Sequence, residues 1–119
     1  MSARKVTVWT GDHGDVTIPE PAWCLAKHED EGYRQDIEHR GADVPAVIQT
    51  PCHGAVSTLV ASLVQRPFSL QDTRTLVSLD LGDDWHELAA PDLDAAAAVL
   101  VEHAAKLRCL ARDLRVMDR

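Results

Sequence analysis

Cys24, His28 and His39 are the residues of this chain whose types and spacing are best suited to chemistry. Three residues separate Cys24 from His28, so on a helical turn or a tight knuckle their side chains point the same way. Ten more residues precede His39, enough for the chain to loop back. A thiolate with two imidazoles is a borderline-soft donor set of the kind zinc takes. The fourth ligand is open. Asp36, three residues before His39, ranks first because it is local. Cys52 and His53 follow, from a separate turn, and His13 is a further candidate. A water in that position would leave the site open, as catalytic zinc sites are.

The segment around these residues favours a metal. From Trp23 to Gly41 the chain is polar and charged, with little apolar content beyond Trp23, Leu25 and Ile37. Burial alone would order such a stretch poorly, whereas structural zinc contributes on the order of 10–16 kcal/mol in small finger peptides. The bland alternative is that Cys24, beside Trp23, is a small buried hydrophobe and the histidines are solvated. Six histidines in 119 residues place some near a cysteine by chance.

The elements that must position these residues read as follows. Lys5 to Thr10 alternates and is rich in β-branched residues, so it predicts a strand. Gly11 to Gly14 turns, and Asp15 to Ile18 returns. Pro19 and Pro21 are expected to end that pairing. Val44 to Thr50 predicts a strand weakened by Pro45, and a turn at 51–54 follows. Ala55 to Gln65 predicts a strand with Val56, Thr58, Val60, Ser62 and Val64 along one face. Thr75 to Leu81 and Trp85 to Leu88 predict a second hairpin. Over 91–116, Leu93, Ala97, Leu100, Ala104, Leu107, Leu110 or Ala111, and Leu114 recur at three- and four-residue spacing. That is the stripe of a long amphipathic helix. Pro91 and two early aspartates suit its start, and its Arg and Lys residues suit its end. No internal repeat is evident.

The expectation is therefore one α+β domain over 1–119. A mostly antiparallel sheet of about five to six strands is packed by one long C-terminal helix, with a metal-bound loop (23–41) after the first hairpin. Length suits a single domain. At 45% hydrophobic but only 4% aromatic, the core must rest on aliphatic residues, and a metal staple would help it. A net charge of −7 argues against a nucleic-acid binder and against an anionic membrane surface. No apolar run follows the basic residues of the start, and three irregularly spaced cysteines suit a reducing cytoplasm.

The run Pro21-Ala22-Trp23-Cys24-x3-His28, followed by Tyr33 to Gly41, resembles a family of small uncharacterised actinobacterial proteins with a W-C-x3-H…D-x-x-H stretch. The resemblance implies Cys24, His28, Asp36 and His39 as the metal positions. Members often carry His near position 33, where this chain has Tyr33, which reopens the fourth ligand. The family supplies no activity.

Three functions fit these observations. The first is a zinc-stabilised regulatory or protein-interaction module, not an enzyme. The second is a metal-dependent hydrolase or lyase with an open zinc and Asp36 or Glu38 as base. The third is a small-molecule-binding or assembly subunit, with a homodimer covering the free sheet face. His86 with Asp83, Asp84 and Glu87 suggests no site, because neighbours on a strand point to opposite faces. No nucleophile elbow, P-loop or dinucleotide-binding glycine pattern is present.

Overall fold

The structure, a computed structural model, describes residues 4–28 and 32–119. The reading of the extreme N-terminus, and residues 29–31 of the 23–41 segment, lie outside the described residues. The chain divides into two compact units, Met1–Leu88 and Ala89–Arg119. Among the described residues, the first holds seven strands and a 3-10 turn, and the second holds the helix. The class is α+β, as expected, with the strands in two antiparallel sheets rather than one.

Strands β1 (Arg4–Thr10) and β2 (Gly14–Glu20) form a two-stranded hairpin. Pro19 does not end it: Lys5 pairs with Pro19 and Arg4 with Glu20. In a two-stranded sheet both strands are edges, so a proline whose missing N–H faces outward costs no ladder bond. Two residues later in the same alternation as Ile18, Glu20 therefore turns inward, and both are buried. A 3-10 turn (Arg34–Asp36) and β3 (His39–Arg40) follow.

The second sheet centres on β5 (Gly54–Gln65). One edge of β5 takes β4 (Val44–Thr50) along its first part and β3 at its end. The other edge takes β6 (Leu76–Asp80), which pairs with β7 (Trp85–Leu88). Val44 pairs with Ala61 and Ala46 with Thr58, so Pro45 faces two residues, Leu59 and Val60. This is a β-bulge, with Leu59 at φ 51°. It overturns the expected single face from Val56 to Val64. Val44 and Ala46 share a face, so Thr58 and Ala61 do too, and the alternation shifts by one residue across the bulge. Ser62 and Val64, both buried, thus lie on the face opposite Val56 and Thr58.

A short repeat, too brief to stand out by composition or period, appears at the hairpin ends. Thr10-Gly11-Asp12-His13-Gly14 and Thr50-Pro51-Cys52-His53-Gly54 share the pattern T-x-x-H-G. In each, the threonine Oγ1 donates to the glycine carbonyl, at 2.9 and 3.1 Å, and accepts from the histidine N–H, at 3.0 and 3.1 Å. Both glycines sit at φ 64°, a left-handed position that favours glycine.

The apolar core of the first unit is small: Val8, Ile18 and Ile37, with Val6, Val16 and Phe68 against them. The most deeply buried side chains are His39, Val64, Thr10 and Cys24. Two of the four are potential metal donors, so the centre of this unit is built as much around polar groups as around aliphatic ones. The helix α1 (Ala90–Met117) starts with proline in its first turn and has no buried residue. It matches the expected 91–116 to within a residue at each end. No helix is long and apolar enough to cross a membrane among the described residues.

Candidate metal centre

Three local devices bring the donors together. Glu20 ends β2 on its buried face. Immediately after it, the Cys24 N–H donates to the Pro21 carbonyl at 3.0 Å, closing a tight turn that folds Cys24 back toward Glu20. The Leu25 N–H then donates to the Arg40 carbonyl at 2.8 Å, and the Gly41 N–H to the Leu63 carbonyl at 2.9 Å. These bonds lay the Trp23–His28 segment beside β3 and so beside His39. At Gly41 an added Cβ would meet Leu63 and Trp23 at 3.4–3.5 Å, ordinary van der Waals contact, so the chain passes close to both at this junction.

The resulting group is Glu20, Cys24, His28 and His39, with one ligand atom from each lying within 4.8 Å of the others. Glu20 Oε1 lies 2.8 Å from His28 Nε2 and 3.0 Å from His39 Nδ1, and Cys24 Sγ lies 3.9 Å from His28 Nε2. Both imidazole side chains and the carboxylate are almost wholly removed from solvent. Trp23 meets the His39 ring edge to face, with centroids 6.3 Å apart.

Burial raises the Glu20 carboxyl, but hydrogen bonds from Cys24 and His28, and then the charge of His28, outweigh it and hold the group below its ordinary value. Burial also pushes the Cys24 thiol up, and its hydrogen bond to Glu20 adds to this. The cluster is thus an ionised carboxylate among proton donors, a charge arrangement that a cation can take over.

The four donor atoms lie near enough to one another to close round a small metal ion once the side chains adjust. Bonds of about 2.0–2.3 Å put tetrahedral donors about 3.3–3.7 Å apart. The two carboxylate–imidazole distances are shorter than this, as hydrogen bonds must be, and the thiol–imidazole distance is slightly longer. With every pair of donor atoms inside 4.8 Å, side-chain shifts of up to about 1 Å would convert one arrangement into the other.

The other sequence candidates stand apart. Asp36 is exposed, and its Oδ2 lies 3.4 Å from the Tyr33 N–H at the start of the 3-10 turn. At Ile37 the backbone becomes extended (φ −59°, ψ 128°), so Asp36 and His39 do not share a helical face. Cys52 and His53 lie in the exposed β4–β5 turn, and His13 lies in the β1–β2 turn beside Asp12. Glu38, the candidate base, is engaged by Arg40 at 2.9 Å and Arg66 at 2.8 Å. His86 pairs with Asp83 at 3.1 Å while Glu87 pairs with Arg66, on opposite faces as expected.

Glu20 was not singled out from sequence. Its signal was the series Val16, Ile18, Glu20, an acid placed on the inward side of a strand, at four-residue spacing before Cys24 and His28. The expectation that Pro19 ends the strand concealed it.

Fold and site together define a small α+β domain carrying a buried Glu–Cys–His–His group that could hold a metal ion. The chain belongs to the DUF6907 family, a domain of unknown function, whose family model matches residues 5–116. No curated protein and no solved structure matches it.

Proposed function

We propose that this domain is a zinc-binding interaction module in which Glu20, Cys24, His28 and His39 hold one structural zinc ion. The observation that carries this reading is the convergence of four chemically suitable donors, from a strand end, a tight turn and a second strand, in the most buried part of the first unit. An exposed acidic cluster would carry no such weight. This one is enclosed, mixes sulfur, nitrogen and oxygen, and replaces aliphatic residues where the core is thin.

Four protein donors complete a tetrahedral shell, so a structural role is favoured over a hydrolytic one, which needs a position for water. An interaction role is supported by one face of the β4–β5 hairpin. There Ile48 and its pairing partner Val56 are exposed, with Val44 further along the same face, an apolar surface of the kind used for contact with other molecules.

The test is metal analysis of the purified full chain with thermal unfolding before and after chelation. The expected result is about one zinc per chain and a lower, metal-restorable melting temperature after chelation. Absence of bound metal after zinc loading, with a melting temperature indifferent to chelator, would overturn it.

A further inference from the structure

The helix α1 carries a repeat stricter than amphipathicity requires. Leu93, Leu100, Leu107 and Leu114 are spaced seven apart, as are Ala90, Ala97, Ala104 and Ala111. The alternating four- and three-residue steps put alanine at every a position and leucine at every d position of four heptads, filling all 28 residues of α1. A strict seven-residue period keeps its seam on one line only if the helix supercoils around another helix. It offers no such advantage against a sheet. Among the described residues, α1 is the sole α-helix of the chain. Its seam leucines Leu100, Leu107 and Leu114 are exposed, as are the flanking Val101, Leu110 and Met117.

We infer that α1 pairs with α1 of a second copy of this chain, antiparallel, as a two-stranded alanine–leucine coiled coil. Charge selects the partner. The first half of the helix, 90–103, carries Asp92, Asp94 and Glu102 with no Lys or Arg. The second half, 104–117, carries Lys106, Arg108, Arg112 and Arg115 against Asp113 alone. Each half is complementary to the other half of an identical helix running the opposite way, and opposed helix dipoles add to the attraction.

Packing selects the same orientation. Run antiparallel, the seam closes with Ala90 against Leu114, Leu93 against Ala111, Ala97 against Leu107, and Leu100 against Ala104. Each pair recurs by symmetry, so every layer holds one small and one large residue and the helices stay at constant separation. In parallel register, Ala–Ala layers would alternate with Leu–Leu layers, leaving voids between spacers. The flanking positions agree. Antiparallel pairing sets Asp94 beside Arg108 of the second copy, twice per dimer. In parallel pairing the same flanks bring His103 near Arg108 and Leu110 near Arg115, with no acid opposite either arginine.

This inference does not rest on the zinc reading, since the seam contains none of the four donors. Its test is the molar mass of the full chain by sedimentation or light scattering at micromolar concentration. The expected mass is twice 13.1 kDa, and Leu100→Lys with Leu107→Lys gives a monomer. Asp94→Arg alone weakens the dimer about tenfold, by turning two attractive pairs repulsive, and Asp94→Arg with Arg108→Asp restores it. A monomeric wild-type chain would overturn the proposal, whether its helix lies on its own sheet or is reserved for another protein. A dimer that survives the double lysine substitution would also overturn it, because it would use another surface. Failure of the charge swap to restore pairing would overturn the antiparallel arrangement.

Discussion

The rings of His28 and His39 meet edge to face, centroids 5.4 Å apart and planes at 88°, and both address the same carboxylate oxygen of Glu20. One oxygen serving two imidazoles leaves each histidine the donor in its bond, with Cys24 completing the enclosure. Replacing those shared protons by one divalent cation satisfies the same four side chains at once. The cluster is self-satisfied without metal, since no buried side-chain N or O lacks a partner among the described residues. Metal is therefore expected to stabilise a fold that can already assemble its site.

The first prediction concerns which residues are ligands. Cys24→Ser and His39→Ala should weaken zinc by more than the roughly 10–100-fold typical of residues that merely support a ligand. Glu20→Gln should weaken it as well, while Asp36→Asn should change affinity by less than about twofold, within the error of such a comparison. Loading with cobalt(II) gives a second readout, because the thiolate-to-metal absorption must vanish in Cys24→Ser alone. Competition titration with a chelating dye measures all four. Zinc lost in Asp36→Asn and kept in Glu20→Gln would return the fourth position to Asp36.

The second prediction follows from the two shifted groups. The Glu20 carboxyl is held below its ordinary 4.5, so its ionised form stabilises the fold above that pH, and the gain is lost as pH falls through the lowered value. The Cys24 thiol is held above 9.0, so the neutral thiol stabilises the metal-free fold below pH 9.0, and that gain is lost as pH rises through the raised value. Zinc reverses the second effect, because it binds the thiolate and expels the proton. Urea unfolding across pH should show an alkaline decline in chelated protein that zinc-loaded protein lacks. Binding near neutral pH should release a proton, seen as a buffer-dependent heat of zinc binding. Equal alkaline declines with and without zinc would contradict a thiolate ligand.

Much of the fold was legible because its elements carry strong local signals. The leucine spacing of α1, the Val44–Thr50 and Gly54–Gln65 strands and the Trp85–Leu88 return all follow from periodicity. What was missed turns on context. Pro19 stops a central strand but not a two-stranded edge, and with it went Glu20. The bulge at Leu59 has no glycine to announce it; Pro45, which needs no ladder partner for a nitrogen without hydrogen, was its only trace. Asp36 recommends itself by sequence proximity to His39, which means little once the backbone between them turns from 3-10 to extended. His39 itself lies on a two-residue strand, too short for any period to reveal.

The third prediction tests the bulge. Leu59 occupies a left-handed conformation that costs a non-glycine residue about 1–2 kcal/mol. A β-branched residue is still less suited to it. Leu59→Val should therefore destabilise the domain by about 1–2 kcal/mol. Leu59→Gly should be near neutral, because relief of strain offsets the loss of a half-buried side chain. Chemical denaturation of the two variants checks the order. A Leu59→Val variant as stable as Leu59→Gly would mean that the pairing of β4 with β5 has no such bulge.

The last prediction uses the repeated turn as an internal control. Thr10 and Thr50 make the same two hydrogen bonds, to the glycine carbonyl and from the histidine N–H four and three residues on. They differ in burial: Thr10 is 2% exposed, whereas the bonds of Thr50 are open to solvent. When a partner is removed in a buried place, the groups left behind keep their desolvation penalty; in an exposed place, water replaces the lost bond. Thr10→Val should thus cost about 1–3 kcal/mol, and Thr50→Val at most about 1 kcal/mol, with valine keeping the shape in both cases. Denaturant midpoints for the two single variants measure the difference. Because Thr10 lies on the buried face of the hairpin that ends in Glu20, Thr10→Val should also loosen zinc, while Thr50→Val should not. Equal costs would show that the turns are stabilised by their glycine backbone alone, and that the threonine bonds contribute nothing measurable.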